Sequence, residues 1–239
     1  MSDDILRLKS NFNDLLARYE KAYIFDVETT GLNKWYDEII EITLAELKSD
    51  GEGTWIGDFE DYYISLPSRS LPAIIVGITG ITDAFLSENG RPRAFVAQKV
   101  IDRINSEKTL LVAHNANFDM NFLLATLHKE KRELDLRKLD VVDTLTIFKD
   151  RRPYPHKLSD AINAYGLSEL ARNSHRSIDD VRATALVLDA MRAELCDIDR
   201  YINLIGYNPK YGIKRGDMIS SIRYLQQPYN SARRLYENT

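Results

Sequence analysis

"YIFDVETTGL", residues 23–32, alternates apolar and acidic side chains through its middle and stops in Thr-Thr-Gly. In an extended strand, side chains two apart project from one face, so Asp26 and Glu28 stand side by side while Phe25 and Val27 face the opposite layer. Two such carboxylates repel. Burying an unpaired one costs several kcal/mol, so the pair requires solvent, protons or cations between its members. A lone Asp-x-Glu can equally be two solvated acids at a strand end, and "DFE" at Asp58 to Glu60 is read that way, as an exposed edge.

Working outward, "AYIFDVE", "EIIEITLAEL" and "DYYISL" are strand-like runs separated by short breaks rich in Gly, Asn and Asp, which predicts an antiparallel meander. Two further apolar runs, "TLLVAH" and "LDVVDT", alternate with helical patterns, as parallel strands joined by helical crossovers do. The expected class is α/β, a mixed five-stranded sheet flanked by helices. Within residues 2–20, Ile5, Leu8, Phe12, Leu15, Leu16 and Tyr19 recur at helical spacing and predict an N-terminal helical appendage over 1–20. The main domain is expected over 21–195, followed by a basic, Tyr-rich extension over 196–239.

The chain has 239 residues and 44% hydrophobic content, enough for the core of one large domain. Its one cysteine, Cys196, makes no internal disulfide. The first residues, "MSDDILRLKSNFNDLLARYEK", lack the basic and apolar regions of a signal peptide, and no apolar run approaches the roughly 20 residues that cross a bilayer. A cytoplasmic location without membrane partners is therefore expected. The net charge of −4 argues against coating polyanions by bulk electrostatics. It is unevenly divided, because residues 206–239 carry six basic and two acidic side chains, +4, and the rest of the chain −8.

Further acids break their local pattern. On a helix beginning near Asn115 or Asn117, Asp119 falls between Phe122 and Leu123, within the apolar stripe. On a helix starting at Ser177, Arg182, Asp189 and Arg192 share one side and Ala183, Val187 and Met191 the other. Asp180 projects with Val187 and Met191, although a capping box, Ser177-x-x-Asp180, also accounts for it. In a continuous helix His175 would lie about 140° from Asp180, so a loop-to-helix transition must separate them if both serve one site. Four such carboxylates suit two hard divalent cations, Mg²⁺ or Mn²⁺, which together activate water against a phosphodiester. A histidine is suited to take that water's proton at neutral pH.

Three motifs in order, "FDVETTGL", "HNANFD" and "HRSIDD" with its His-x4-Asp spacing, resemble those of the DEDDh branch of the DnaQ-like 3′–5′ exonuclease superfamily, whose fold is ribonuclease H-like. The linking segments "GITGITDAFL" and "VVDTLTIFKDRRPYPHKLSDAINAYGLS" are similar too, and the resemblance runs from about residue 21 to 192. It implies Asp26, Glu28, Asp119 and Asp180 as metal ligands and His175 as general base. It also implies a 3′-terminal nucleotide pocket lined by Thr29, Thr30, Gly31 and Leu32, with His114 and Asn115 near it. His128 and His156 are read as structural. The implied activity is release of 5′-mononucleotides from the 3′ end of DNA, of a proofreading or repair type. The alternatives are a 3′–5′ exoribonuclease similar to ribonuclease T or oligoribonuclease, and a non-catalytic nucleic-acid or polymerase-binding module.

The tail lies beyond the resemblance. Tyr207, Tyr211, Tyr224, Tyr229 and Tyr236 interleave there with Lys210, Lys214, Arg215, Arg223, Arg233 and Arg234. Bases stack on tyrosine while Lys and Arg neutralise phosphates, so one reading is a grip on a single-stranded or frayed 3′ strand. Packing of the tail onto the catalytic domain, or docking to a DNA polymerase or other partner protein, are the other two.

Overall fold

The computed structural model describes residues 5–229 and 233–238. Strand β2 (Lys21–Thr29) lies in the middle of a six-stranded sheet ordered β1-β4-β3-β2-β5-β6, formed with β1 (Leu6–Leu8), β3 (Ile39–Asp50), β4 (Gly53–Tyr63), β5 (Thr109–Ala113) and β6 (Leu139–Asp143). As expected, β2 to β4 form an antiparallel meander and β5 and β6 run parallel to β2. The third meander strand spans residues 53–63, earlier than the "DYYISL" run, because the Asp50 carboxylate accepts the Glu52 and Gly53 N–H groups and closes a tight hairpin there. Asp58 is exposed, and β1 pairs only with Thr54–Ile56, so the second Asp-x-Glu does lie on a free edge.

The N-terminal expectation is corrected. Instead of one helix, residues 5–20 give β1 and a single turn, α1 (Asn13–Leu16), and β1 adds the sixth strand where five were expected. The reason is tertiary. On α8 (Ser177–Glu194), the Asp189 carboxylate accepts the Lys9 and Ser10 backbone N–H groups at 2.9 and 2.7 Å, and Thr54 Oγ1 accepts that of Phe12. Arg192 donates to the Asn11 carbonyl and to Asp14. Those donors are then unavailable to a helix, and the polar side of α8 is covered. Leu8, Phe12 and Leu15 are buried in return, which anchors the segment to the main core. Residues 1–4 lie outside the described residues.

The alternation along β2 sorts the layers. Ala22 and Ile24 pack with α6 (Thr144–Arg151), α7 (Leu158–Ala164) and α8, while Tyr23, Phe25 and Val27 pack with α4 (Arg93–Ile104) and α5 (Ala116–Lys129). Two short helices, α2 (Ala73–Thr79) and α3 (Asp83–Asn89), cover Ile40 beside Ile81 and Leu86. Beyond α8 the chain folds back on the same body. Its two strands, β7 (Leu204–Tyr207) and β8 (Arg223–Gln226), pair in parallel; Tyr201 and Leu204 enter one core, and Ile205, Ile219 and Ile222 the other. Tyr236 donates its hydroxyl to Asp197 and Tyr224 to Asn117 Oδ1, so two of the five tail tyrosines are used in packing. The Lys34 ammonium latches the tail by donating to Asn121, to the Gly216 carbonyl and to Asp217 at 2.9 Å. Among the described residues, no helix is long and apolar enough to cross a membrane.

Candidate active site

Asp26 and Glu28 occupy the end of β2, just before a register shift between Glu28 and Thr29 releases the strand from its pairing. Asp119 reaches them from the first turn of α5, and its Oδ1 accepts the Val27 N–H at 3.2 Å. That turn is placed by Asp143, whose Oδ1 accepts the N–H groups of Asn115 and Ala116 at 2.8 and 3.1 Å while the same carboxylate caps α6 through Leu145 and Thr146. Asn115 makes the corner in the left-handed region, φ 76°, where Asn is tolerated better than most residues.

Asp180 enters from the first turn of α8. Its Oδ2 accepts from Asn173 Nδ2 at 2.7 Å, and its Oδ1 is buried without a hydrogen-bond partner. The capping box is not formed, since Ser177 pairs its hydroxyl with Thr43 and gives its N–H to Glu41. His175 is exposed at φ 56°, the loop-to-helix transition that its spacing from Asp180 demanded. Glu28, His175 and Asp180 each offer a ligand atom within 4.8 Å of the others. These three, with Asp26, Asp119, His114 and Asn115, line one cleft of about 640 Å³. His114 is held from behind, with Nδ1 3.0 Å from Thr144 Oγ1 and Nε2 3.3 Å from the His156 carbonyl.

Burial governs the electrostatics. It raises Asp26 and Asp119 well above the usual carboxylate range, and the charges of Asp119, Asp180 and Glu28 raise Asp26 further. Glu28 is pushed up to about 8 by burial and then by Asp180, Glu41 and Asp119. Asp180 rises to about 7, again chiefly through burial, against the opposing hydrogen bond from Asn173. Crowded oxygen donors, one of them a buried carboxylate oxygen with no partner, are the donor set a hard divalent cation takes. Asp26, Glu28, Asp119 and Asp180 fit that role.

One acid was missed. Glu41 on β3 sits opposite Glu28 and is fully buried, and it accepts from Arg176 Nε at 3.2 Å and from the Ser177 N–H at 3.2 Å. It thereby sets where α8 begins and where Asp180 points. The only hint in the sequence is its alternation with Ile40 and Ile42. The cleft also takes in Phe118, Lys149, Tyr154, His156, Lys157 and Tyr229, none of which the sequence had marked as lining it. His128 is exposed and outside it.

The Thr-Thr-Gly-Leu run is placed differently. None of Thr29, Thr30, Gly31 and Leu32 lines this cleft. Thr29 donates to the Gly31 carbonyl, and Thr30 is buried with its hydroxyl on Asp37 and on the Glu38 N–H. A Cβ on Gly31 would stand 2.5 Å from the Asp37 carboxylate, which is a local reason for glycine. Leu32 is 88% exposed and borders an adjoining groove with Trp35, Asn115, Phe118 and Lys214.

The family model described as RNase_T, Exonuclease matches residues 23–188. The chain belongs to the exonuclease family. This exonuclease is 36% identical over 195 residues to the DNA polymerase III PolC-type of Bacillus subtilis, an alignment covering 78% of this chain and 12% of that protein. With the PolC-type polymerase of Clostridium perfringens it shares 34% over 170 residues, 71% and 11% of the two chains. The exonuclease thus spans about 12% of the length of these curated relatives. Its fold matches Escherichia coli Exonuclease I solved with a dA16 oligonucleotide, at TM-score 0.66 and 19% identity, over 76% of this chain and 42% of that one. A moderately thermophilic Exonuclease I from Methylocaldum szegediense matches at TM-score 0.62 and 20% identity, over 74% and 41%. The sheet and its flanking helices are those of the ribonuclease H-like exonuclease fold, and the enzyme is a nuclease, a hydrolase of phosphodiesters.

Proposed function

We propose that this exonuclease works 3′ to 5′ on DNA, releasing 5′-mononucleotides with two divalent ions, Mg²⁺ or Mn²⁺, held by Asp26, Glu28, Asp119 and Asp180. The observation that carries the reading is the convergence of these four carboxylates with His175 in one cleft, with Asp180 Oδ1 buried and unpartnered. When bound, the ions supply Lewis acidity and positive charge for the attacking and leaving oxygens.

The chain's own residues do the rest. Val27 and Asn173 each hold one oxygen of a ligand carboxylate, which leaves Asp119 Oδ2 and Asp180 Oδ1 for the site. His175, exposed on the cleft, takes a proton from the water that attacks the terminal phosphodiester. The new P–O bond forms as the P–O3′ bond breaks, and the departing 3′-oxygen is protonated from solvent. One nucleoside 5′-monophosphate leaves, and the strand is one residue shorter with a fresh 3′-hydroxyl.

DNA as substrate is supported by the relatives' description as DNA polymerase III PolC-type and by the oligodeoxynucleotide in the Exonuclease I structure. The same likeness favours a proofreading or repair type of substrate, single-stranded or frayed with a free 3′ end, and makes a DNA polymerase the natural protein partner. Matched DNA and RNA strands labelled at the 5′ end, incubated with Mg²⁺ or Mn²⁺, test this. DNA should shorten stepwise from its 3′ end and stop on adding EDTA. Faster shortening of RNA would move the assignment to an exoribonuclease, and no shortening of either would overturn it.

A further inference from the structure

The cleft that holds the carboxylates is also lined by side chains of another chemistry. Tyr154, in the segment between α6 and α7, and Tyr229, just after β8, meet there with ring centroids 5.3 Å apart. Tyr229 lies stacked on the His156 ring, 5.8 Å away at 28°, and Tyr154 meets that ring edge-on at 5.8 Å. His156 is itself buried, so it forms a fixed floor. The two tyrosines are left open: Tyr154 is 66% exposed and Tyr229 42%. Neither hydroxyl has a hydrogen-bond partner among the described residues, in contrast to Tyr224 and Tyr236, whose hydroxyls are used within the fold.

Two lysines complete this lining. Lys149 is half-buried and faces the electrostatic field of Asp143, but makes no hydrogen bond or ion pair among the described residues. Lys157 is exposed on the same cleft. Exposed ring faces and two lysines that make no ion pair among the described residues, in a cleft that also holds the carboxylates, match a ligand with flat rings and phosphates. A small neutral ligand would use neither lysine, and an acidic peptide would leave the aromatic faces unmatched.

We propose that Tyr154 and Tyr229, seated on His156, form a stacking shelf for one nucleobase of the bound strand, with Lys149 and Lys157 receiving its phosphates. The proposal rests on the nuclease reading of the cleft and deepens it, because it makes the C-terminal segment a wall of the substrate site. Of the five tail tyrosines, Tyr229 is the one that lines the catalytic cleft. Tyr229 is thereby the tail side chain that the shelf places against the strand inside this cleft.

The test uses the full chain carrying Asp26→Asn, so that the strand stays intact, and a five-nucleotide single strand with 2-aminopurine placed in turn at each of the three 3′-terminal positions. Stacking quenches 2-aminopurine, so one position should dim on binding, and the quenching should be lost with Tyr229→Ala. Affinity should fall about 5- to 150-fold, the range for removing one aromatic stacking partner. Tyr229→Phe and Tyr229→Trp should restore both readouts, and the alanine penalty should vanish on a strand that is abasic at the dimmed position. Tyr154→Ala, on a separate and more exposed segment, should repeat the loss. Unchanged quenching and affinity in both alanine variants would overturn the shelf, as would an alanine penalty that persists on the abasic strand. Wild-type chain that cuts neither DNA nor RNA, while the shelf variants still lose quenching, would overturn the nuclease reading and uphold the shelf.

Discussion

Replacing Asp180 by Asn removes one ionisable carboxyl from the buried acidic cluster while leaving its shape nearly unchanged. Asp180 has its pKa raised from 3.8 to about 7, and Glu28 from 4.5 to about 8. At these two groups the folded, metal-free protein therefore holds more protons than the unfolded chain between about pH 4 and pH 8. Their contribution to stability falls as pH rises through that window, since it is fully present below the unfolded pKa values and is lost toward the folded ones. At pH 7, a carboxyl moved from 3.8 to about 7 weakens the folded state by roughly 4 kcal/mol, at 1.36 kcal/mol per pKa unit. Because burial is the chief cause and the Asn amide must still be buried, one substitution should recover about half of that, roughly 2 kcal/mol. For a chain of this size the recovery corresponds to a Tm rise of roughly 4–8 °C. In EDTA, thermal melts of wild type and Asp180→Asn should nearly coincide at pH 4 and separate at pH 8 with the variant more stable. Added Mg²⁺ or Mn²⁺ should reverse that order, because ligands stabilise the state that binds them and the variant has lost a ligand charge. Wild-type stability in EDTA that is flat from pH 5 to pH 8, or an Asp180→Asn variant that melts lower at pH 8 in EDTA, would refute the reasoning.

Glu41→Ala should cost about 2–4 kcal/mol in urea melts, because the buried Ser177 N–H and the half-buried Arg176 lose their acceptor, and it should slow turnover as Asp180 shifts with the start of α8. Lys34→Met should cost about 1–3 kcal/mol and speed proteolytic cleavage after residue 206, read by mass spectrometry, because the buried ammonium ties Asp217 and the Gly216 carbonyl to the domain. His175→Ala should lower kcat on the order of 10²–10⁴-fold while the metal-induced rise in Tm survives; a rate within a few-fold of wild type would remove His175 from the chemistry.

The elements that sequence reading places well are those whose pattern is local. Asp26 and Glu28 could be assigned one face of β2 because strand alternation has a period of two, and Asp119 stood out because it interrupts an apolar helical stripe. The segments read poorly are those decided by distant partners. Leu8, Phe12 and Leu15 do have helical spacing, but the Lys9 and Ser10 N–H groups are taken by Asp189, some 180 residues away, and the backbone bends instead. Glu41 is one of several acids in "EIIEITLAEL", and only its pairing opposite Glu28 and the arrival of Ser177 distinguish it from a solvated one. The tail tyrosines were equivalent in sequence; packing divides them into Tyr224 and Tyr236, which hold the fold, and Tyr229, which faces the cleft.

The most direct measurement follows the strand itself in a single turnover. A 5′-labelled single-stranded DNA is mixed with excess enzyme and Mg²⁺, and labelled products and released nucleotides are resolved over time for wild type, Asp26→Asn and Asp180→Asn. Four carboxylates acting as one catalytic centre predict a ladder descending one nucleotide at a time from the 3′ end, 5′-mononucleotides as the released product, and a near-complete loss of both in either variant with the fold retained. Labelled fragments from internal cuts that appear before any one-nucleotide shortening, or a wild-type ladder from both Asn variants, would contradict the account.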